Sequence, residues 1–315
     1  MTTRRSRVTR LAALGAFSLF CGSGSVMAQP ADWQTVSEKD KSALAYAVAV
    51  GQEDKIPLYA CRAAAGTGVH PGRFRTDFDG CHIGFSGKEI SVSPFEVLTS
   101  AWQDDANGGI PAGSLVSGQR VRRGTSSQFG LAALYPCRAT YQGGVHVGEV
   151  ARGDRGCRFG FGGQQVTEAK YQVLWNAPWM TWIAGIIHQI PTDAIIAGTE
   201  GGEPFYICRA PDRNGLHTGK VKPSSPGCSV ASDGKELVAP LFSLLVPKWV
   251  AGNAGTLPIT ALPTGYDRLD LLFLCRAQVK GALQVGKMTE SLASCHIGML
   301  GSEIAIQAYE ILTQR

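Results

Sequence analysis

Eight cysteines stand in four pairs of one spacing: Cys61 and Cys81, Cys137 and Cys157, Cys208 and Cys228, and Cys275 and Cys295, each pair 20 residues apart. Thiols in such a pattern can oxidise to disulfides or hold zinc. No CxxC-type knuckle occurs, and the histidines that might complete a metal site do not recur: His70, His146 and His217 share one position, which Gln284 takes in the fourth copy. A disulfide framework is the expected chemistry, with no metal and no cofactor. The repeat makes two connectivities natural, within each copy or crossed between neighbours. We favour the first, in which closing a loop of about 20 residues contributes roughly 3 kcal/mol per bridge.

Titratable side chains recur at other fixed offsets. Each first cysteine begins Cys-Arg-Ala, which supplies Arg62, Arg138, Arg209 and Arg276. On a strand these point away from the neighbouring cysteine. Their expected role is to fix the repeat, with Glu89, Gln165, Glu236 and Glu303 as expected partners. A further position, just after a recurring glycine, holds Arg73, Glu149, Lys220 or Lys287, and His82 and His296 each follow a cysteine. Asp54 and Glu89 could be imagined as a glycosidase pair, but nothing in the sequence sets their separation. Without a nucleophile–base–acid set or a phosphate loop, the chain is expected not to be an enzyme.

These residues must be positioned by a unit repeated four times. Glycines stand eleven residues after each first cysteine (Gly72, Gly148, Gly219, Gly286) and again at twenty-six (Gly87, Gly163, Gly234, Gly301). Such glycines mark backbone that needs positive φ or close approach. Each unit closes on "FEVL", "YQVL", "FSLL" or "YEIL", and each has an upstream tryptophan: Trp33, Trp102, Trp182 and Trp249. "IPLYACRA", "GVHPGRF", "CHIGF" and "SPFEVL" read as strands separated by turns. "SEKDKSALAYAVAV" allows one or two helical turns in the first unit alone. A propeller needs blades of about 40–50 residues, whereas the first cysteines lie 76, 71 and 67 apart.

Composition agrees with an all-β chain, with 39 glycines and 16 prolines in 315 residues. Residues 1–28 resemble an export signal: four arginines, the apolar run "LAALGAFSLF", and small residues before Ala28. Cys21 would leave with it. The full chain carries 30 basic and 25 acidic residues; removing the four signal arginines leaves 26 against 25, a net charge of +1. Nothing then argues for nucleic acid as a partner. No later apolar run is long enough to span a membrane as a helix. The expected location is exported, periplasmic or secreted.

The ordered pattern "PLYACRA…GVHPGR…GCHIGFSGKE…FEVL" resembles the DM-nine (DM9) repeat family across essentially the whole mature chain. The resemblance implies β-sandwiches in which two repeats interlock. Two tandem domains would follow, at residues 31–177 and 178–315, joined by "NAPWMTWIAGIIHQ". It also implies a lectin-like role. In sugar-binding members a lysine after the bend glycine and an acid before the first strand clamp adjacent hydroxyls, by charge-assisted hydrogen bonds. Carried over, unit one offers Asp54 and Arg73. Unit three offers Lys220 with Gly201 at the acid position and Glu200 one step off; unit four offers Lys287 with Arg268 there and Asp267 one step off. Unit two has Glu149 and Gly130 and has lost the clamp. The expectation is a glycan- or cell-surface-polysaccharide-binding protein whose best site is Asp54 with Arg73. The alternatives are an envelope structural or protein-interaction module and a glycan-modifying enzyme.

Overall fold

A computed structural model describes residues 32–37, 39–123, 129–175, 177–253 and 255–314. The expected export signal and Cys21 lie outside the described residues. Each unit has seven strands, 28 in all among the described residues. In unit one they are Asp32–Val36, Ala49–Glu53, Ile56–Ala65, Gly68–Phe74, Cys81–Phe85, Lys88–Val92 and Phe95–Thr99, with a 3-10 helix at Ser42–Tyr46. The helical turn expected in the first unit is thus present.

The first strand of every unit pairs with its last, and the recurring tryptophan always faces a leucine: Trp33 with Leu98, Trp102 with Leu174, Trp182 with Leu245, Trp249 with Leu312. The cysteine strand is buried on both faces in its middle. In Ile56–Ala65, Leu58 and Ala60 point into a central core, while Cys61 and Ala63 point into a smaller cluster around their own disulfide. This two-sided burial explains why "LYAC" reads as a continuous apolar run. The four disulfides form within units, with Cα atoms 5.8–5.9 Å apart, and all eight cysteines are fully buried.

The recurring glycines separate into the two expected kinds. A Cβ at Gly72 would lie 2.2 Å from the carbonyl oxygen of His82, so this position needs close approach. Gly87, Gly163, Gly234 and Gly301 sit in turns at φ between 77° and 81°, so this one needs the left-handed region.

Two sheets of fourteen strands result, and their membership corrects the expected order of domains. Unit one interlocks with unit four, through Gln52 opposite Leu283, Tyr266 opposite Val69 and Asp267 opposite Gly68. Unit two interlocks with unit three, through Val145 opposite Thr199 and Leu216 opposite Gln119. The pairs are therefore nested along the chain, not arranged in tandem as 31–177 and 178–315. A glycine stands at each crossing because the partner's backbone presses on it. A Cβ at Gly51, Gly118, Gly198 or Gly265 would lie 1.9–2.1 Å from a carbonyl oxygen of the partner unit.

The start of the segment expected to link two domains is instead core. Ala177, Trp179 and Met180 are buried beside Val48, Leu58, Leu115, Ile207, Leu262 and Leu274, in one apolar cluster fed by all four units. The two sheets share this core, and each unit adds a satellite core around its disulfide.

Candidate functional site

The recurring arginines turn out to be clasps between units. Each guanidinium lies over its unit's tryptophan, 4.2–4.5 Å from the ring centroid, a favourable cation–π arrangement. Each also donates to a backbone carbonyl of the sheet partner: Arg62 to Thr264, Arg138 to Ala197, Arg209 to Ser117, and Arg276 to Val50. Their side-chain acceptors are not the expected Glu89 series. Nε of Arg62 donates to Glu96 at 2.6 Å, that of Arg138 to Gln172 at 2.7 Å and that of Arg276 to Glu310 at 2.7 Å. The acceptor sits on the closing strand because that strand pairs directly with the arginine strand, with Arg62 opposite Glu96.

Glu89, Glu236 and Glu303 do different work. Glu89 accepts from the Gly301 N–H at 2.9 Å, and Glu303 reciprocates on Gly87 at 3.0 Å. Glu236 accepts from the Gly163 N–H at 2.8 Å. Each carboxylate caps the tight turn of the partner unit.

The position after the bend glycine meets a residue nine places after the partner unit's first cysteine, and in units one and four it also meets the carboxylate of its own unit, Glu89 or Glu303. This builds four composite sites, each completed by two units. In unit one, Arg73 is buried and fully engaged. It donates to Gln284 Oε1 at 2.7 Å, to Glu89 at 2.9 Å and to the Gly298 carbonyl at 3.2 Å, and its remaining contact is Glu53 at 3.5 Å. Burial works against the Glu89 carboxylate, yet hydrogen bonds from Gly301, His82 and Arg73 outweigh it and hold the group below its ordinary range.

Asp54 does not take part. It sits exposed in the following hairpin turn at φ 50°, on a separate cleft of about 570 Å³ with Lys55, Asp193, Arg276 and Lys280. The acid that meets Arg73 is Glu53, one residue earlier, because Glu53 ends its strand opposite Ile56 while Asp54 belongs to the turn. Counting back eight residues from the first cysteines of units one, three and four gives Glu53, Glu200 and Asp267, with Phe129 in unit two; counting back seven gives Asp54, Gly201 and Arg268, with Gly130 in unit two. The recurring acid was present in the sequence at the earlier offset.

Lys287 in unit four is also engaged. Its Nζ donates to the Gly84 carbonyl at 2.6 Å and lies 3.4 Å from Glu303 and 3.3 Å from His70 Nδ1. In unit two the charge is inverted. Glu149 is buried and accepts from Arg158 at 2.5 Å, from His217 at 3.0 Å and from the Thr218 N–H at 3.0 Å. Burial raises the Glu149 carboxyl. Burial also opposes charge on His217, but bonding to Glu149 and the charge of Asp212 prevail and raise it.

Lys220 differs from all of these. Its Nζ lies 2.7 Å from His146 Nδ1 and 4.6 Å from the Phe205 ring centroid. No carboxylate among the described residues comes close enough to form an ion pair with it; Glu200 and Glu236 act through charge from farther off. Burial is the main reason its ammonium is pushed down to about 8. It lines an open pocket of about 370 Å³ with Glu200, Glu236, Phe161, Phe205 and Lys222. Here a cation, two carboxylates and two aromatic rings face common empty space. A larger cleft, of about 620 Å³, surrounds Arg138 and Tyr46, and like the one beside Arg276 it holds an arginine clasp whose hydrogen bonds are spent within the protein.

Comparison with known proteins adds the family. The family model described as "DM9 repeat" matches residues 52–126, 129–239 and 200–306. Among solved structures, the chain is similar to the nematode sperm cell motility protein MFP2B, at 12% identity, covering 91% of this chain and 98% of that one, with a TM-score of 0.20. The search of curated proteins finds no match.

Proposed function

As the chain belongs to the DM9 repeat family, we propose that it is an exported, disulfide-stapled glycan-binding protein whose site is the Lys220 pocket. The observation that carries the reading is the convergence of Lys220, Glu200 and Glu236 on one open pocket walled by Phe161 and Phe205. Sugar hydroxyls both donate and accept, so an ammonium and a carboxylate satisfy adjacent hydroxyls together. An aromatic face offers apolar surface to the C–H side of a pyranose. Mannose-type sugars and cell-surface polysaccharide are the substrate classes this chemistry fits. One such clamp supports weak affinity, with a Kd of about 1 mM corresponding to about 4 kcal/mol. Four buried disulfides support an oxidising compartment, periplasmic or extracellular.

A glycan array probed with the mature protein and with Glu200→Gln tests this. Loss of mannose-type signal in the variant is expected; an array blank for the wild type removes the reading. A second reading, a non-catalytic interaction module of the envelope, is favoured by one hairpin that exposes Tyr266, Leu269 and Leu271 together. A blank array together with loss of a cross-linked envelope protein in Leu269→Ser would select it.

A further inference from the structure

Lys220 and His146 form a pair whose chemistry exceeds hydrogen bonding. His146 Nε2 lies 3.1 Å from the Tyr141 carbonyl oxygen, which can only accept, so Nε2 carries the ring proton. Nδ1 is then a lone pair, and it faces Lys220 Nζ at 2.7 Å. The ring is buried against Phe159 and Phe161, and burial together with the Lys220 charge keeps it neutral by lowering its proton affinity. The amine thus has a proton acceptor on one side and an open pocket on the other. Lys287, at the same register, is held by the Gly84 carbonyl and Glu303. Arg73 has no amine to offer.

We propose that Lys220 is a nucleophilic amine that takes up small polyhydroxylated aldehydes, including the open-chain form of reducing sugars, as a reversible imine. The inference rests on the reading that the Lys220 pocket admits a sugar-like ligand. The Nζ lone pair adds to the carbonyl carbon, and the C=O π pair moves to oxygen. The first proton lost from nitrogen passes to His146 Nδ1, which returns it to the oxygen to give the carbinolamine. The hydroxyl then takes a proton from solvent and the C–O bond breaks to release water, while the nitrogen lone pair closes the C=N bond as an iminium, whose remaining N–H proton returns to solvent to leave the imine. No oxidant or reductant is needed. Glu200 and Glu236, with Phe161 and Phe205, line the open pocket that the added chain would enter.

An ammonium that titrates near 8 is about one-tenth neutral at pH 7, against roughly 1 in 2,500 for an ordinary lysine near 10.4. Reduced access and lower intrinsic nucleophilicity take back part of that advantage.

The test is labelling of the full mature protein with glyceraldehyde and cyanoborohydride, read by peptide mass spectrometry across pH. Lys220 should label at least about tenfold faster at pH 7 than the exposed Lys88 and Lys235. Its rate should level off above pH 8 while theirs keep rising, and Lys220→Arg should lose only that adduct. Binding of methyl α-mannoside, which has no free aldehyde, is measured in parallel. Bound methyl mannoside with Lys220 labelled no faster than Lys88 overturns the amine chemistry and leaves the binding site standing. A labelled Lys220 without methyl mannoside binding upholds the amine chemistry and removes the glycan reading. Should Lys220→Arg fail to fold, the wild-type pH profile alone decides: a Lys220 rate still rising through pH 10 contradicts the proposal.

Discussion

Arg73 and Lys220 hold the same place in units one and three, twelve residues after the first cysteine, and they serve opposite ends. Arg73 is surrounded by acceptors: Gln284 from the partner unit, Glu89, the Gly298 carbonyl and Glu53. Lys220 has one close partner, a histidine nitrogen, and open space beyond it. A five-donor guanidinium can be consumed by the fold and so become part of the joint between units one and four. The compact ammonium at the equivalent joint leaves room beside it, and the joint between units two and three becomes a pocket. One register position therefore gives a structural ion network in one sheet and an open pocket in the other.

The largest expected effect concerns the joints themselves. A fragment of residues 31–177 contains units one and two, which share no sheet, and it should be unfolded by circular dichroism. Cooperative melting of that fragment would break the nested pairing. Next is Arg73→Ala, which removes the buried guanidinium shared by Glu89, Gln284 and Glu53 and leaves Glu89 with Gly301 and His82. Breaking such a network costs about 3–5 kcal/mol, readable by urea denaturation. Lys220→Met removes an ammonium that burial penalises and should leave stability at pH 7 unchanged or raise it, by up to about 3 kcal/mol. Equal losses for the two variants would erase the contrast. Replacing Cys275 and Cys295 by serine should cost about 3 kcal/mol without touching ligand binding, since that bridge lies in the satellite core of unit four, in the other sheet.

A smaller effect follows from pH. The folded state holds Lys220 near 8, and the unfolded value is about 10.4. Between these values the unfolded chain binds more protons, so this group's contribution to stability rises with pH across that window. Below pH 8 its penalty is fully present. The stability of the wild type relative to Lys220→Met should thus improve by on the order of 2 kcal/mol between pH 8 and 10. A gap that stays constant with pH would show that Lys220 titrates as an ordinary exposed lysine.

Much of this architecture can be read from the chain because the repeat states it four times. The twenty-residue cysteine spacing announces the disulfides, the glycine offsets announce one close crossing and one left-handed turn, and "FEVL" and its kin announce the closing strand. The pairing of units could not be read. All four carry the same edges and the same crossing glycine, so nothing local to unit one prefers unit four over unit two. The segment around Trp179 and Met180 reads as a linker because it lies between two repeats, yet it enters the core that all four units share. The site was half legible. The register of Lys220 could be read, but the acid on its pocket lies at the offset of Glu53 and Glu200, and the pocket's second face comes from the partner unit. His146 lies 74 residues from Lys220, and no spacing rule within a unit reaches it.

The most direct test of the central contrast is calorimetric titration of a mannose-type oligosaccharide into wild type, Lys220→Ala and Arg73→Lys. The expected result is weak binding to wild type and to Arg73→Lys, with none to Lys220→Ala. Unchanged binding by Lys220→Ala, or binding lost in Arg73→Lys while that variant remains folded, would contradict the assignment of the ligand site to the sheet of units two and three.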